Sequence, residues 1–275
     1  MTSPLVDARE LLSLVRDGSP LLLDVRWTLA GPQRDAYVSG HLPGAVFVDL
    51  DDDLSGPPGE GGRHPLPDAD AFAATLRRLG VGPGRDVVAY DASSSLASAR
   101  AWWCLRYFGH PAVRVLDGGL AAWVAAGGRL ETGRVAPSPA RDAVARPGGM
   151  PLLDASGAAR VAASRMLLDA RSAERFRGEV EPVDPVAGRV PAARSLDMAR
   201  LLRPDGRLQP AGRVRAELAG VVGGDPVEVG SYCGSGVTAA QQVLALEVAG
   251  VRAALYAGSW SDWITDPGRS VDRGE

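Results

Sequence analysis

The chain has 275 residues, 30 basic against 33 acidic side chains, and a net charge of −3. Every basic residue is Arg, which excludes a Schiff-base lysine and a phosphate-loop GK[ST] motif. Two Cys and three scattered His exclude a disulfide framework and a His/Cys metal cluster, and a mildly acidic chain does not point to nucleic acid.

Taken in order, Met1 to Glu10 shows no basic run followed by an apolar one, so no signal peptide is expected. No apolar stretch approaches a membrane span, and two distant Cys suit a reducing cytoplasm. A buried strand is expected at Leu21–Arg26, then a turn at Gly40-His41-Leu42-Pro43-Gly44-Ala45 and a loop from Asp49 to Asp68 that holds His64. A helix over Asp68–Leu79, a strand at Val87–Asp91, a helix over Ser98–Phe108 and a strand-then-turn at Val115–Gly119 follow. Glu131–Pro151, rich in Gly, Pro, Ala and Arg, reads as a linker.

The pattern then repeats. Met166–Arg171 echoes Leu21–Arg26, and Gly188-Arg189-Val190-Pro191-Ala192-Ala193 echoes the Gly40 turn. Val227–Cys233 echoes Val87–Asp91, and Leu255–Ser259 with Trp263 echoes Val115–Gly119 with Trp123, at offsets of 140 to 148. Helices are expected over Arg213–Val222 and Val237–Ala249. Strand–helix alternation in both halves predicts an α/β fold of two tandem domains, each a mostly parallel sheet flanked by helices. The boundaries read as 1–130, a linker at 131–151, and 152–275.

Chemistry concentrates in Ser231-Tyr232-Cys233-Gly234-Ser235-Gly236-Val237-Thr238-Ala239. A strand ends at Cys233, two Gly permit a tight loop, and a helix begins near Val237. Converging N–H groups and the helix dipole favour a thiolate and hold an anion. The alternative is a small buried Cys in a βα turn. A Cys-based phosphatase needs Arg six residues on, where Ala239 stands, and a C-x-x-C redox pair is broken by Gly236. Cys104, in an apolar helical stretch, reads as core. His41 reads as structural at its turn, His110 as surface, and the six Trp as core or interface.

Cys233-Gly234-Ser235-Gly236-Val237-Thr238-Ala239 resembles the active-site loop of the rhodanese-type sulfurtransferases, in the form of the 3-mercaptopyruvate sulfurtransferases. Tyr37–Ala45 resembles that family's N-terminal signature, and Leu255–Trp263 its C-terminal one, with Asp262 where Glu is usual. The resemblance spans almost the whole chain. It implies two rhodanese domains with only the second catalytic, in agreement with Asp91 at the position matching Cys233.

The resemblance further implies a ping-pong transfer without metal or organic cofactor. Cys233 takes sulfur from 3-mercaptopyruvate as a persulfide, and a small thiol, cyanide or reduced thioredoxin removes it. Gly234, Gly236, Val237 and Thr238 would cradle the anionic sulfur. Arg175 and Arg177 match the substrate-arginine segment, with Arg175 preferred because Arg suits bidentate carboxylate binding; a surface pairing with Glu174 or Glu179 is the alternative. Ser235 would join His64 and Asp51 in a proton-transferring triad, with Asp49, Asp52 and Asp53 close enough to be confused with Asp51. The chain departs from the pattern in Glu179–Gly188, which lacks the usual second arginine, and Arg189 stands where His is usual. The absence of a basic residue directly after Cys233 favours a less charged donor than thiosulfate. Thiosulfate:cyanide transfer and a low-turnover persulfide carrier or regulatory module are the alternatives.

Overall fold

The computed structural model describes residues 3–18, 20–224, 226 and 228–274. The chain forms two compact units: residues 1–56, 67–150 and 204–208, and residues 57–66, 151–203 and 209–275. The segment 57–66, expected with the first half, thus groups with the second.

In the first unit the elements are β1 (Leu5–Val6), α1 (Ala8–Arg16), β2 (Leu21–Asp24), β3 (Trp27–Thr28), β4 (Gly31–Pro32), α2 (Arg34–Ser39) and β5 (Val46–Phe47). They continue with α3 (Leu50–Asp53), α4 (Ala69–Leu79), β6 (Val87–Tyr90), α5 (Leu96–Tyr107), β7 (Val113–Leu116) and α6 (Gly119–Ala125). The parallel sheet runs β1-β7-β6-β2-β5, and β3 and β4 form a separate antiparallel hairpin.

The second unit contains β8 (Leu152–Leu153), α7 (Ala155–Ala163), β9 (Leu167–Asp169), α8 (Ala173–Arg177), β10 (Arg194–Ser195) and a 3-10 turn at Met198–Leu201. After it come α9 (Ala211–Val222), β11 (Glu228–Tyr232), α10 (Val237–Val248), β12 (Arg252–Tyr256) and α11 (Ser259–Trp263). Its parallel sheet runs β8-β12-β11-β9-β10, the same connectivity. Val227, expected to open β11, lies outside the described residues.

The repeat has a polar skeleton. At the end of β2, Asp24 accepts from Arg26 at 3.0 and 2.9 Å, and Arg26 donates to the Gly40 carbonyl at 2.8 Å. At the end of β9, Asp169 accepts from Arg171 at 3.0 and 2.7 Å, and Arg171 donates to the Gly188 carbonyl at 2.7 Å. The Tyr90 hydroxyl accepts the Leu42 N–H, as the Tyr232 hydroxyl accepts the Val190 N–H. The acidic-x-basic turn after each central strand therefore pins the following turn, and the buried Asp24–Arg26 and Asp169–Arg171 charges are paired. Burial by itself pulls the Arg171 guanidinium down, and the adjacent Asp169 carboxylate more than reverses this, so it stays charged.

Strand alternation gives way to continuous apolar runs because both sheet faces are covered; Val87, Val88, Ala89 and Tyr90 are all buried. Trp102, Trp103, Trp123, Trp260 and Trp263 are buried, while Trp27 is half-buried with its indole N–H donating to Asp51. His41 is buried, with Nδ1 2.9 Å from the Tyr37 carbonyl. His110 is a correction. It is buried, with Nε2 2.8 Å from the Arg85 carbonyl, which gives the imidazole a polar partner there, and the Arg146 N–H donates to the nearby Phe108 carbonyl. Cys104 is buried in α5, and burial pushes its thiol up, opposed by the Arg100 guanidinium.

Candidate active site

β11 ends at Tyr232, and Cys233 follows, only 2% exposed. Gly236, at φ +82°, is the residue before α10. A side chain there would run into the Ala257 carbonyl, so only Gly closes this turn. The turn folds the Gly236 N–H back to 3.2 Å from Cys233 Sγ, at the N-terminus of a twelve-residue helix. An amide and the positive end of the helix dipole thus face the sulfur. Gly234, Ser235 and Val237 are buried around it, and Thr238 is half-buried.

The loop is tied to α11. The Trp260 N–H donates to the Cys233 carbonyl at 3.0 Å, and the Ser261 N–H to the Gly234 carbonyl at 2.9 Å. The Cys233 N–H donates to Ser259 Oγ at 3.1 Å, and that hydroxyl donates to the Tyr256 carbonyl at 2.8 Å. Ser259 sits at φ +55°, a region costly for a residue with a Cβ. At the matching place in the first unit, Gly119 has the same φ, with Leu120 and Ala121 donating to the Asp91 and Ala92 carbonyls. The second unit therefore adds a hydroxyl, at a strained position, that fixes the cysteine's backbone.

The first unit also shows what such a loop does. The Asp91 carboxylate accepts from the N–H groups of Ser93, Ser95, Ala97 and Ser98 and from the Ser98 hydroxyl, at 3.0 to 3.2 Å. A loop of this geometry encloses an anion, and here the chain supplies its own.

Of the expected partners, Ser235 and His64 are brought together, with Oγ 2.8 Å from Nδ1. Asp51 lies in the first unit, where α3 carries it and it accepts the Trp27 indole N–H at 3.0 Å. Arg175, on α8, extends toward the loop: its Nη2 lies 3.4 Å from where a Cβ on Gly234 would stand. Arg177 instead forms a two-pronged pair with Glu179 at an exposed position, at 2.7 and 2.8 Å. Arg189 stacks on Phe176 and donates to the Gly274 carbonyl at 2.6 Å, so its guanidinium serves the backbone.

Arg63 was not anticipated from sequence. Its Nη2 lies 2.9 Å from the same point above Gly234, so two guanidiniums converge over the Cys233 loop. Gly62, at φ +96°, lets the chain press against the Gly258 carbonyl, and the Arg63 N–H donates to Ser261 Oγ at 3.0 Å. Burial pulls the Arg63 guanidinium below its ordinary value, against the negative charge of Cys233, and nearby Arg175 adds to the shift. Its only sequence signal was adjacency to His64 in Gly61-Gly62-Arg63-His64-Pro65.

The acidic stretch without an arginine wraps these cations. Glu181 accepts from Arg171 at 3.3 Å, from Arg175 at 3.2 and 2.6 Å, and from the N–H groups of Val183 and Asp184. Asp184 pairs with Arg63 through one oxygen and with Arg175, at 3.3 Å, through the other. Among the described residues no group of three or more His, Cys, Asp or Glu is placed to hold a metal ion. No helix among them is long and apolar enough to cross a membrane.

A strand-end cysteine in an anion-enclosing βα loop, on a duplicated five-stranded parallel sheet, defines the class, and comparison with known proteins agrees. The family model described as "Rhodanese-like domain" matches residues 7–126 and 152–266, so the chain belongs to that family, with two copies of its domain. It is 47% identical to the putative thiosulfate sulfurtransferase SseB of Mycobacterium tuberculosis, covering 98% of this chain and 97% of that one. It is 43% identical to the probable 3-mercaptopyruvate sulfurtransferase of Pseudomonas aeruginosa, over 100% and 99%. Among solved structures, the Escherichia coli 3-mercaptopyruvate sulfurtransferase SseA superposes with a TM-score of 0.80 at 31% identity, over 94% of this chain and all of that one. The protein is a sulfurtransferase.

Proposed function

We propose that the chain transfers sulfur from 3-mercaptopyruvate through a Cys233 persulfide to a thiophilic acceptor. The observation that carries this reading is the convergence of Arg63 and Arg175 over Gly234, beside a sulfur that already accepts an amide N–H. Two forked cations suit the carboxylate of a small 2-oxo acid.

In the first half-reaction the Cys233 thiolate attacks the donor's sulfur. The new S–S bond forms as the donor's C–S bond breaks. The bonding pair passes to carbon as the pyruvate enolate, and the donor's thiol proton is returned to that carbon, which becomes the pyruvate methyl group. Ser235, hydrogen-bonded to His64, is the group at the loop that can hand a proton across. The amides of Gly234 to Thr238 stabilise the terminal sulfur anion of the persulfide. In the second half-reaction cyanide, a small thiol or the thiolate of reduced thioredoxin takes that sulfur and Cys233 leaves as thiolate.

The first unit, with Asp91 in place of the nucleophile, has no thiol at the matching position and serves as a non-catalytic domain. The reading keeps domain limits of 1–130 and 152–275 joined by a linker at 131–151. Two free cysteines suit a reducing compartment, and we place the reaction in the cytoplasm.

The test measures kcat/KM with 3-mercaptopyruvate and with thiosulfate, together with the mass of Cys233 after exposure to each donor. A gain of one sulfur on Cys233, a preference for 3-mercaptopyruvate and loss of both in Cys233→Ser are expected. Turnover by Cys233→Ser overturns the mechanism. A strong thiosulfate preference overturns the donor, and a stable persulfide without turnover makes the protein a carrier.

A further inference from the structure

The two carboxylates over the loop differ in how firmly they are held. Glu181 is anchored by three guanidinium contacts from Arg175 and Arg171 and by two backbone amides, so it belongs to the scaffold. Asp184 bridges Arg63 and Arg175, one oxygen to each, with its side chain 3% exposed. Its carboxylate therefore sits where a substrate carboxylate would, on the two cations nearest Gly234. Local charge balances: Arg63, Arg171 and Arg175 stand against Asp169, Glu181 and Asp184. With Cys233 ionised the cluster carries one net negative charge. A second negative charge on an incoming donor then meets repulsion that the three cations of this cluster, already balanced, do not offset.

We propose that Asp184 is a built-in occupant of the donor's anion site: a donor carboxylate binds by taking its place on Arg63, and this exchange selects a monoanionic 2-oxo acid thiol over the thiosulfate dianion. The inference rests on the proposed transfer from 3-mercaptopyruvate through Cys233 and adds to it which residues set donor charge. It also accounts for the acidic stretch where a second arginine is usual. The cation is supplied from residues 57–66, and the carboxylate that moderates it from residues 179–188.

The experiment measures kcat and KM of Asp184→Asn with each donor, cyanide being the acceptor. Removing the occupant lowers KM for both donors, and more for thiosulfate. The ratio of kcat/KM for thiosulfate to that for 3-mercaptopyruvate rises by about tenfold. An unchanged or lower ratio, or a higher KM for 3-mercaptopyruvate, overturns the proposal and makes Asp184 a support for Arg63. Arg63→Gln gives a second reading that does not depend on how Asp184→Asn folds. Its KM for 3-mercaptopyruvate rises about tenfold while iodoacetamide still alkylates Cys233; a KM within about twofold of wild type overturns the proposal. Persulfide formation by the wild-type protein is scored separately, so a failure of the underlying reading shows before either variant is compared.

Discussion

Ser259 offers a test in which stability and catalysis report on one contact. Its hydroxyl accepts the buried Cys233 N–H at 3.1 Å, from a backbone at φ +55°. Ser259→Ala orphans that N–H at a cost of about 1–3 kcal/mol and keeps the backbone strain. Ser259→Gly loses the same bond but releases about 1 kcal/mol of left-handed strain. The expected losses are therefore about 2 kcal/mol for Ala and about 1 kcal/mol for Gly. Urea unfolding followed by tryptophan fluorescence resolves that difference, because Trp260 is buried next to the position. Both variants should lose about tenfold in kcat/KM, since a small displacement of the nucleophile is costly. An Ala variant within about 0.5 kcal/mol of wild type, or more stable than the Gly variant, refutes the reasoning.

His64→Asn and Ser235→Ala should each lower kcat by about 10²-fold, and the double variant should fall little further, because the pair acts as one unit; additive losses in steady-state rates would separate their roles. Gly236→Ala should cost about 3 kcal/mol or more and abolish transfer, since a Cβ meets the Ala257 carbonyl at a positive φ; unchanged denaturant midpoints would contradict this. Burial lowers the pKa of His110 from 6.5, so the unfolded chain binds its proton more readily. The stability it contributes is fully present above about pH 6.5, the unfolded value, and is lost as pH falls from there toward the lowered folded value. Urea midpoints should drop from pH 7.5 to 5, and His110→Gln should flatten part of that slope.

Much of the fold was legible because it is local and repeated. Periodic apolar runs located β2, β6, α4, α5, α9 and α10 within a few residues, and the duplicated Asp-x-Arg turns reported the tandem architecture. The two-residue edge strands β1, β5, β8 and β10 left no such trace, since their identity lies in their neighbours. His110 was misplaced because proximity to Pro111 signals a turn but not what covers it.

At the site, a strand end, two Gly and a helix start adjacent in the chain mark Cys233 and its loop, whereas Arg175 is suggested only by the family resemblance. Sequence alone could not locate Arg63. Residues 57–66 are remote in sequence from the loop they serve, and only the close packing of Gly62 against α11 brings a guanidinium over Gly234. Nor could it assign the acidic stretch, whose meaning is electrostatic. Glu181 and Asp184 gain their role only when folding buries them against Arg63, Arg171 and Arg175. Bonded neighbours decide where Cys233 stands, and through-space charge, which no spacing along the chain records, decides which ions surround its loop.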